Sequence, residues 1–212
     1  MPMDSSSSWL KRDAAAVWHP FTQHSLWLDD EPTVVDRAEA VVLPGDGAFH
    51  DAMGNLQALG LIASLRACFD SARPFLGICL GYQLLFTESE EFGQGKGLDV
   101  IPGAVRRFPG TLKVPHMGWN QVEHRGDLRL FDGIPSGAHF YFVHSYYPEP
   151  SGASAADGVR TASCEYGVRF PALITRGQLY GTQFHPEKSQ RWGLRLLANF
   201  ARLAGTCEAA RA

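Results

Sequence analysis

Two short stretches of this chain pair residue types that can break an amide bond. The first is Gly77-Ile78-Cys79-Leu80-Gly81, a cysteine with a glycine two residues to either side. A thiolate is a strong nucleophile near neutral pH, and a turn that exposes one side chain needs small neighbours so that the flanking backbone can close up. The second is His185-Pro186-Glu187. Proline fixes the backbone there, so imidazole and carboxylate can lie on one side of a strand end, Glu187 holding one ring nitrogen while the other serves Cys79. Cys79, His185 and Glu187 together make a triad for nucleophilic acyl transfer. Taken singly, a cysteine on a glycine-rich turn is as often plain core, and a lone histidine is more often a structural hydrogen-bonder. The combination favours the chemistry.

Such a site needs elements to hold it. Ala40-Val41-Val42-Leu43 is a short apolar run that ends at Pro44-Gly45, as a buried parallel strand would. Leu56 to Phe69 has apolar residues at helical spacing and stops before Pro74. Phe75-Leu76-Gly77-Ile78 reads as a second buried strand, and Gly81 to Thr87 as a helix whose N-terminus would favour a thiolate. The Leu80 N–H would point where an oxyanion forms. Further on, β signals gather at Val105, Val122 and Phe140-Tyr141-Phe142-Val143, and Pro148 to Gly158 reads as a loop. Strands are predicted at 159–164, 171–175 and 178–184, with a closing helix from about Arg191 to Leu203. The expected fold class is a three-layer α/β domain with a mixed sheet.

Bulk properties narrow the function classes. A chain of 212 residues that is 45% hydrophobic and 19% charged suits one large domain. The net charge of -3, without a basic run, argues against nucleic acid as the main partner. Apolar stretches fall short of the roughly 20 residues of a membrane span, and the N-terminus lacks the charged-then-apolar pattern of a secretory signal. The four cysteines, Cys68, Cys79, Cys164 and Cys207, form no C-x-x-C pair, so neither zinc nor disulfides are expected and a cytoplasmic location is. The eight histidines are too scattered to suggest a metal.

Gly-Ile-Cys-Leu-Gly-Tyr-Gln at 77–83 and Gln-Phe-His-Pro-Glu-Lys-Ser at 183–189 resemble the signatures of the class I, triad-type glutamine amidotransferases. Leu-Pro-Gly-Asp-Gly-Ala-Phe at 43–49, Pro-His-Met-Gly-Trp-Asn at 115–120 and Tyr-Phe-Val-His-Ser-Tyr-Tyr at 141–147 narrow the resemblance to the glutaminase subunits of imidazole glycerol phosphate synthases, over Ala38 to Leu203. The resemblance implies a flavodoxin-like fold and hydrolysis of glutamine through a cysteine thioester, with no cofactor. It implies ammonia delivery to a (β/α)8-barrel cyclase subunit that makes imidazole glycerol phosphate and AICAR in histidine biosynthesis. It assigns Gly45, Gly47 and Leu80 to the oxyanion region, Gln83, Ser145 and Tyr146 with Gly47 to glutamine binding, and Met117, Trp119 and Asn120 to the cyclase interface.

Residues 1–37 break the pattern. The family's usual first strand, glycine loop and long helix have no counterpart there, and Leu10 to Arg37 resembles instead the N-terminus of a pyridoxal-phosphate aminotransferase of biotin synthesis, without a cofactor lysine. The expected organisation is an atypical segment, 1–37, followed by an amidotransferase domain, 38–212. Two further readings fit the same triad: a glutaminase serving another synthase, against which the 115–120 and 141–147 motifs count, and an inactive chain acting as a binding scaffold.

The nucleophile assignment is directly testable. Cys79→Ala should abolish ammonia release from glutamine, whereas alanine at Cys68, Cys164 or Cys207 should leave it nearly intact; substantial turnover by Cys79→Ala removes the assignment.

Overall fold

The computed structural model describes residues 40–152 and 157–209. The segment 1–37, with the aminotransferase-like stretch and the missing-strand expectation placed on it, lies outside them. The central sheet contains five strands: β1 (Val41–Leu43), β2 (Phe75–Ile78), β9 (Arg160–Glu165), β10 (Arg169–Arg176) and β11 (Leu179–Thr182), in the order β1-β2-β11-β10-β9. β1 and β11 both run parallel to β2, while β10 runs antiparallel to both β9 and β11, so the sheet is mixed. Among the described residues β1 is paired on one side alone, by β2.

Strand alternation divides the core. Leu76, Leu173 and Tyr180 point into one cluster of buried side chains, with Phe140, Phe142, Phe184 and Leu196. Their neighbours Phe75, Ile174 and Leu179 point into the other, with Phe49, Leu56, Leu65 and Tyr82. This is the period-2 geometry of a sheet covered on both faces, and it gives the three layers expected.

On one face lie α1 (Phe49–Ala58) and α2 (Leu61–Asp70), where a single helix over 56–69 was expected. Phe49, Ala52, Met53 and Leu56 form the packed stripe of α1, at spacings of three and four. The break is at Gly60, whose φ of 69° ends one helix and starts the next. The helix predicted from Gly81 to Thr87 is a single turn, α3 (Leu80–Gln83), followed by β3 (Phe86–Ser89). Leu84-Leu85-Phe86 is too short an apolar run to fix its own period, and Phe86 is claimed by pairing with Ile101 of β5 (Ile101–Arg107). With β4 (Gly95–Lys96) and β8 (Tyr146–Pro150) these make a second sheet, β4-β3-β5-β8. β8 occupies part of the predicted 148–158 loop; its prolines are tolerated because it is an edge strand.

The opposite face carries α4 (Gln190–Ala209) and a ribbon of β6 (His116–Val122) and β7 (Ala138–His144), paired antiparallel with His116 opposite His144. Among the described residues no helix is long and apolar enough to cross a membrane.

Backbone is packed closely against backbone beside the β2–α3 turn. A Cβ added at Gly81 would sit 1.8 Å from the Leu43 carbonyl oxygen, and one at Gly77 would sit 2.7 Å from that of Gly81. Both obstacles are backbone and cannot rotate away. Gly81→Ala should therefore destabilise the fold by about 1–3 kcal/mol or more, read as a lower urea midpoint; an unchanged midpoint contradicts this account of the elbow.

Candidate active site

Cys79 occupies the junction between β2 and α3 with φ 52° and ψ -108°. A non-glycine residue at such a positive φ stores on the order of 1–3 kcal/mol of strain, held here by its surroundings. The Cys79 N–H donates to the Thr182 carbonyl at 2.7 Å, which pins the turn to β11. The expected helix-dipole assistance to the thiolate shrinks with α3, which is one turn long.

His185 follows β11 after the buried Gln183 and Phe184. Its N–H donates to the Tyr141 carbonyl at 2.9 Å and its own carbonyl accepts from Ser189 Oγ at 2.6 Å. Pro186–Lys188 forms a single 3₁₀ turn that swings Glu187 back, and His185 Nδ1 lies 2.7 Å from Glu187 Oε1. Nδ1 therefore carries a proton, and Nε2 is the nitrogen left on the Cys79 side. It is buried and has no conventional hydrogen-bond partner. Burial opposes a charge on this imidazole, but interaction with Cys79 and Glu187 outweighs it and lifts the pKa from 6.5 to about 9. Glu187 responds in kind: burial disfavours its charge, yet the bond to His185 holds it below the ordinary carboxylate value. The site favours an imidazolium facing the sulfur.

Leu80 N–H, expected to serve an oxyanion, donates instead to the Gly45 carbonyl at 3.4 Å. The Pro44–Gly47 loop thus presents an acceptor where a donor is needed, and Gly47, at φ 89° with open space around it, leaves the loop free to turn. Gln83 is buried, and its Nε2 donates to the Tyr146 carbonyl and to Gln183 Oε1, both at 3.0 Å. Gln183 Nε2 in turn lies 3.7 Å from Cys79 Sγ. Gln183 was not singled out from the sequence, although a fully buried amide two residues before the histidine is a signal of its own. Ser145 and Tyr146 form the turn from β7 to β8, with the Ser145 carbonyl accepting from Phe108 N–H at 3.1 Å.

The three interface candidates separate. Met117 and Trp119 project outward from β6 and are 62% and 47% exposed. Asn120, one residue on, faces the other way: Nδ2 contacts the Glu165 carbonyl at 2.9 Å and His116 Nε2 at 3.2 Å. Strand alternation puts Asn120 on the other side of β6 from Met117 and Trp119.

A strained strand–turn–helix cysteine facing a histidine–carboxylate pair is the arrangement of a thiol amidohydrolase. The family described as "Glutamine amidotransferase class-I" matches residues 10–203 of the chain. The chain belongs to that family. The class-I amidotransferase match begins ahead of Ala38, where the recognisable motifs start. Among similar sequences is the imidazole glycerol phosphate synthase subunit HisH of Moorella thermoacetica, 54% identical over 82% of this chain and 81% of the relative. The subunit of that name from Syntrophotalea carbinolica is 52% identical over 84% and 87%. Among solved structures, a glutamine amidotransferase from Thermotoga maritima has a TM-score of 0.53 at 18% identity, over 82% of this chain and 69% of that one. The glutaminase domain of a Trypanosoma brucei CTPS with bound acivicin has a TM-score of 0.53 at 15% identity, over 77% and 71%. At these identities the structures speak to the amidotransferase fold alone.

The His185–Glu187 pair has a defined pH window. The imidazole, raised from 6.5 to about 9, contributes stability that is complete below pH 6.5 and lost as pH rises through about 9. The carboxylate, lowered, contributes above 4.5 and loses it as pH falls. The urea-midpoint difference between the wild type and Glu187→Gln should therefore peak between pH 4.5 and 6.5 and fade towards pH 9; a difference that grows above pH 9 contradicts the pairing.

Proposed function

We propose that this amidotransferase hydrolyses glutamine at Cys79 and passes the ammonia to a separate cyclase subunit, as the glutaminase half of an imidazole glycerol phosphate synthase. The observation that carries the hydrolysis is the elbow thiol at φ 52° facing the Nε2 of an imidazole whose other nitrogen is held by Glu187. Cys79 thiolate attacks the side-chain amide carbon, and the electron pair of the carbonyl moves to oxygen. Nε2–H of His185 gives its proton to the departing nitrogen, so ammonia leaves and a glutamyl thioester remains. The neutral imidazole then takes a proton from water, hydroxide attacks the thioester, and glutamate leaves with thiolate and imidazolium restored.

Assignment of glutamine's polar ends to Gln83, Ser145, Tyr146 and Gly47 rests on the matching motifs, and the convergence of Gln83 and the Tyr146 carbonyl beside Cys79 supports it. The cyclase as partner rests on the roughly half-identical relatives bearing that subunit's name and on the outward Met117 and Trp119. Exposed Trp and Met suit an interface core better than a solvated strand. The acceptor at Leu80 N–H gives a reason for coupling, since the Gly45–Gly47 peptides must rotate before two donors can meet an oxyanion, each worth several kcal/mol of barrier.

Glutamine hydrolysis by the chain alone should be slow, and a cyclase subunit with its ribonucleotide ligand should accelerate it at least tenfold. Trp119→Ala should weaken association by about tenfold or more. Equal rates with and without the cyclase favour service to another synthase, and a lack of any hydrolysis with either favours the scaffold reading.

A further inference from the structure

Two buried histidines outside the triad take no part in the chemistry above. His116 of β6 and His144 of β7 face each other across the ribbon, with His116 Nδ1 2.9 Å from His144 Nε2. His144 Nδ1 lies 2.8 Å from the Tyr146 carbonyl oxygen, and His116 Nε2 lies 3.2 Å from Asn120 Nδ2. We propose that Asn120, His116 and His144 form a one-directional hydrogen-bond chain that positions the Ser145–Tyr146 turn for glutamine. The proposal rests on the reading of that turn as part of the substrate site.

The direction follows from which atoms can donate. A carbonyl only accepts, so His144 Nδ1 must carry hydrogen. A neutral imidazole then has a bare Nε2, which must accept, so His116 donates from its own Nδ1 and accepts at Nε2. The last donor is the Asn120 amide. Its orientation is fixed independently, because Asn120 Oδ1 accepts from Gln121 N–H at 2.8 Å while the second Nδ2 hydrogen goes to the Glu165 carbonyl. Every donor meets an acceptor from Asn120 to Tyr146, and moving one proton would set two lone pairs, or two hydrogens, against each other.

The surroundings keep both rings neutral, as the direction requires. His116 is stacked between Tyr166 and Phe142, at centroid separations of 4.0 and 4.9 Å. His144 lies against Phe108 and Phe170, at 5.2 and 5.3 Å. Burial among these rings lowers the pKa to about 4 for His116 and about 3 for His144, and for His144 the neighbouring His116 and His185 charges add to it.

The far end of the chain is where it acts. The Tyr146 carbonyl accepts from both His144 and Gln83, and Gln83 continues through Gln183 towards Cys79 Sγ. Without His144 the carbonyl keeps one partner and the turn one fewer restraint. The effect belongs on glutamine binding, because neither histidine nor Asn120 touches the reacting atoms. These three are positioning residues.

The test combines a spectroscopic and a kinetic arm on the full chain with its cyclase. In ¹⁵N-histidine NMR, both His116 and His144 should show the neutral tautomer with hydrogen on Nδ1; hydrogen on Nε2 at either ring overturns the chain. His144→Phe should raise KM for glutamine on the order of tenfold with kcat within about threefold. His144→Asn, whose amide can donate from the Nδ1 position, should recover much of that loss. Asn120→Asp, which cannot donate, should raise KM in the same direction. Iodoacetamide, which has no glutamine backbone to position, should alkylate Cys79 at the wild-type rate in all three. Equal loss of kcat and alkylation indicates general damage and overturns a positioning role, as does an unchanged KM. If a variant fails to fold, the tautomers of the wild type still decide. Absence of hydrolysis by the wild type would sink the proposed function instead, and would leave the tautomer result standing.

Discussion

A buried cysteine held at positive φ is the constraint around which this molecule is arranged. The turn that displays Cys79 closes only because Gly77 and Gly81 bring backbone to within what a methyl group would occupy, and it stays closed because β2 is clamped between β1 and β11. Cys79 N–H is bonded to β11 rather than to its own helix, so the thiol's position is a property of the sheet. The same strand, β11, leads directly into Gln183 and on to His185. One register, Gly181 opposite Gly77 and Thr182 opposite Ile78, thereby sets the positions of both Cys79 and His185.

Electrostatically, three buried histidines within one layer are driven in opposite directions by their partners. His185 has a carboxylate on one side and a sulfur on the other, and its charge is favoured in spite of burial. His116 and His144 have aromatic rings, a carbonyl, an amide and each other, and their charge is disfavoured. A cation on His185 itself helps keep His144 neutral. Of these three, only the imidazole beside the thiol has its charged form favoured.

Much of this was legible in the sequence where apolar runs are bracketed by Gly or Pro. Phe75–Ile78 and the triad stretches fall in this class, since buried parallel strands and sharp turns impose composition directly. Gly60 carried a break that helical periodicity alone passed over. Leu84-Leu85-Phe86 was misread because three apolar residues specify burial but no period, and a long-range partner, Ile101, decided the outcome. Asn120 was grouped with Met117 and Trp119 because a motif carries residues along together. The alternation of β6 would have separated them, but only once that stretch is known to be a strand. Gln183 was hidden by the louder histidine beside it. The segment 1–37 drew a reading of its own that lies beyond the described residues.

Strand β6 faces two environments at once. Its odd-numbered side chains, Met117 and Trp119, look outward, while the even-numbered His116 and Asn120 look into the layer beside the glutaminase site. With a side-chain period of two, inserting or deleting one residue before His116 would exchange the two sets wholesale. The imidazole of His116 would be turned towards water and an indole thrust among Phe108, Phe142 and Phe170. The strand therefore constrains evolution in a particular way: its residues can be substituted one at a time, each face drifting separately, but its length to the residue cannot change. Indels in this family's 115–122 segment should come in pairs or not at all, and the outward face can change partners without disturbing the inward one.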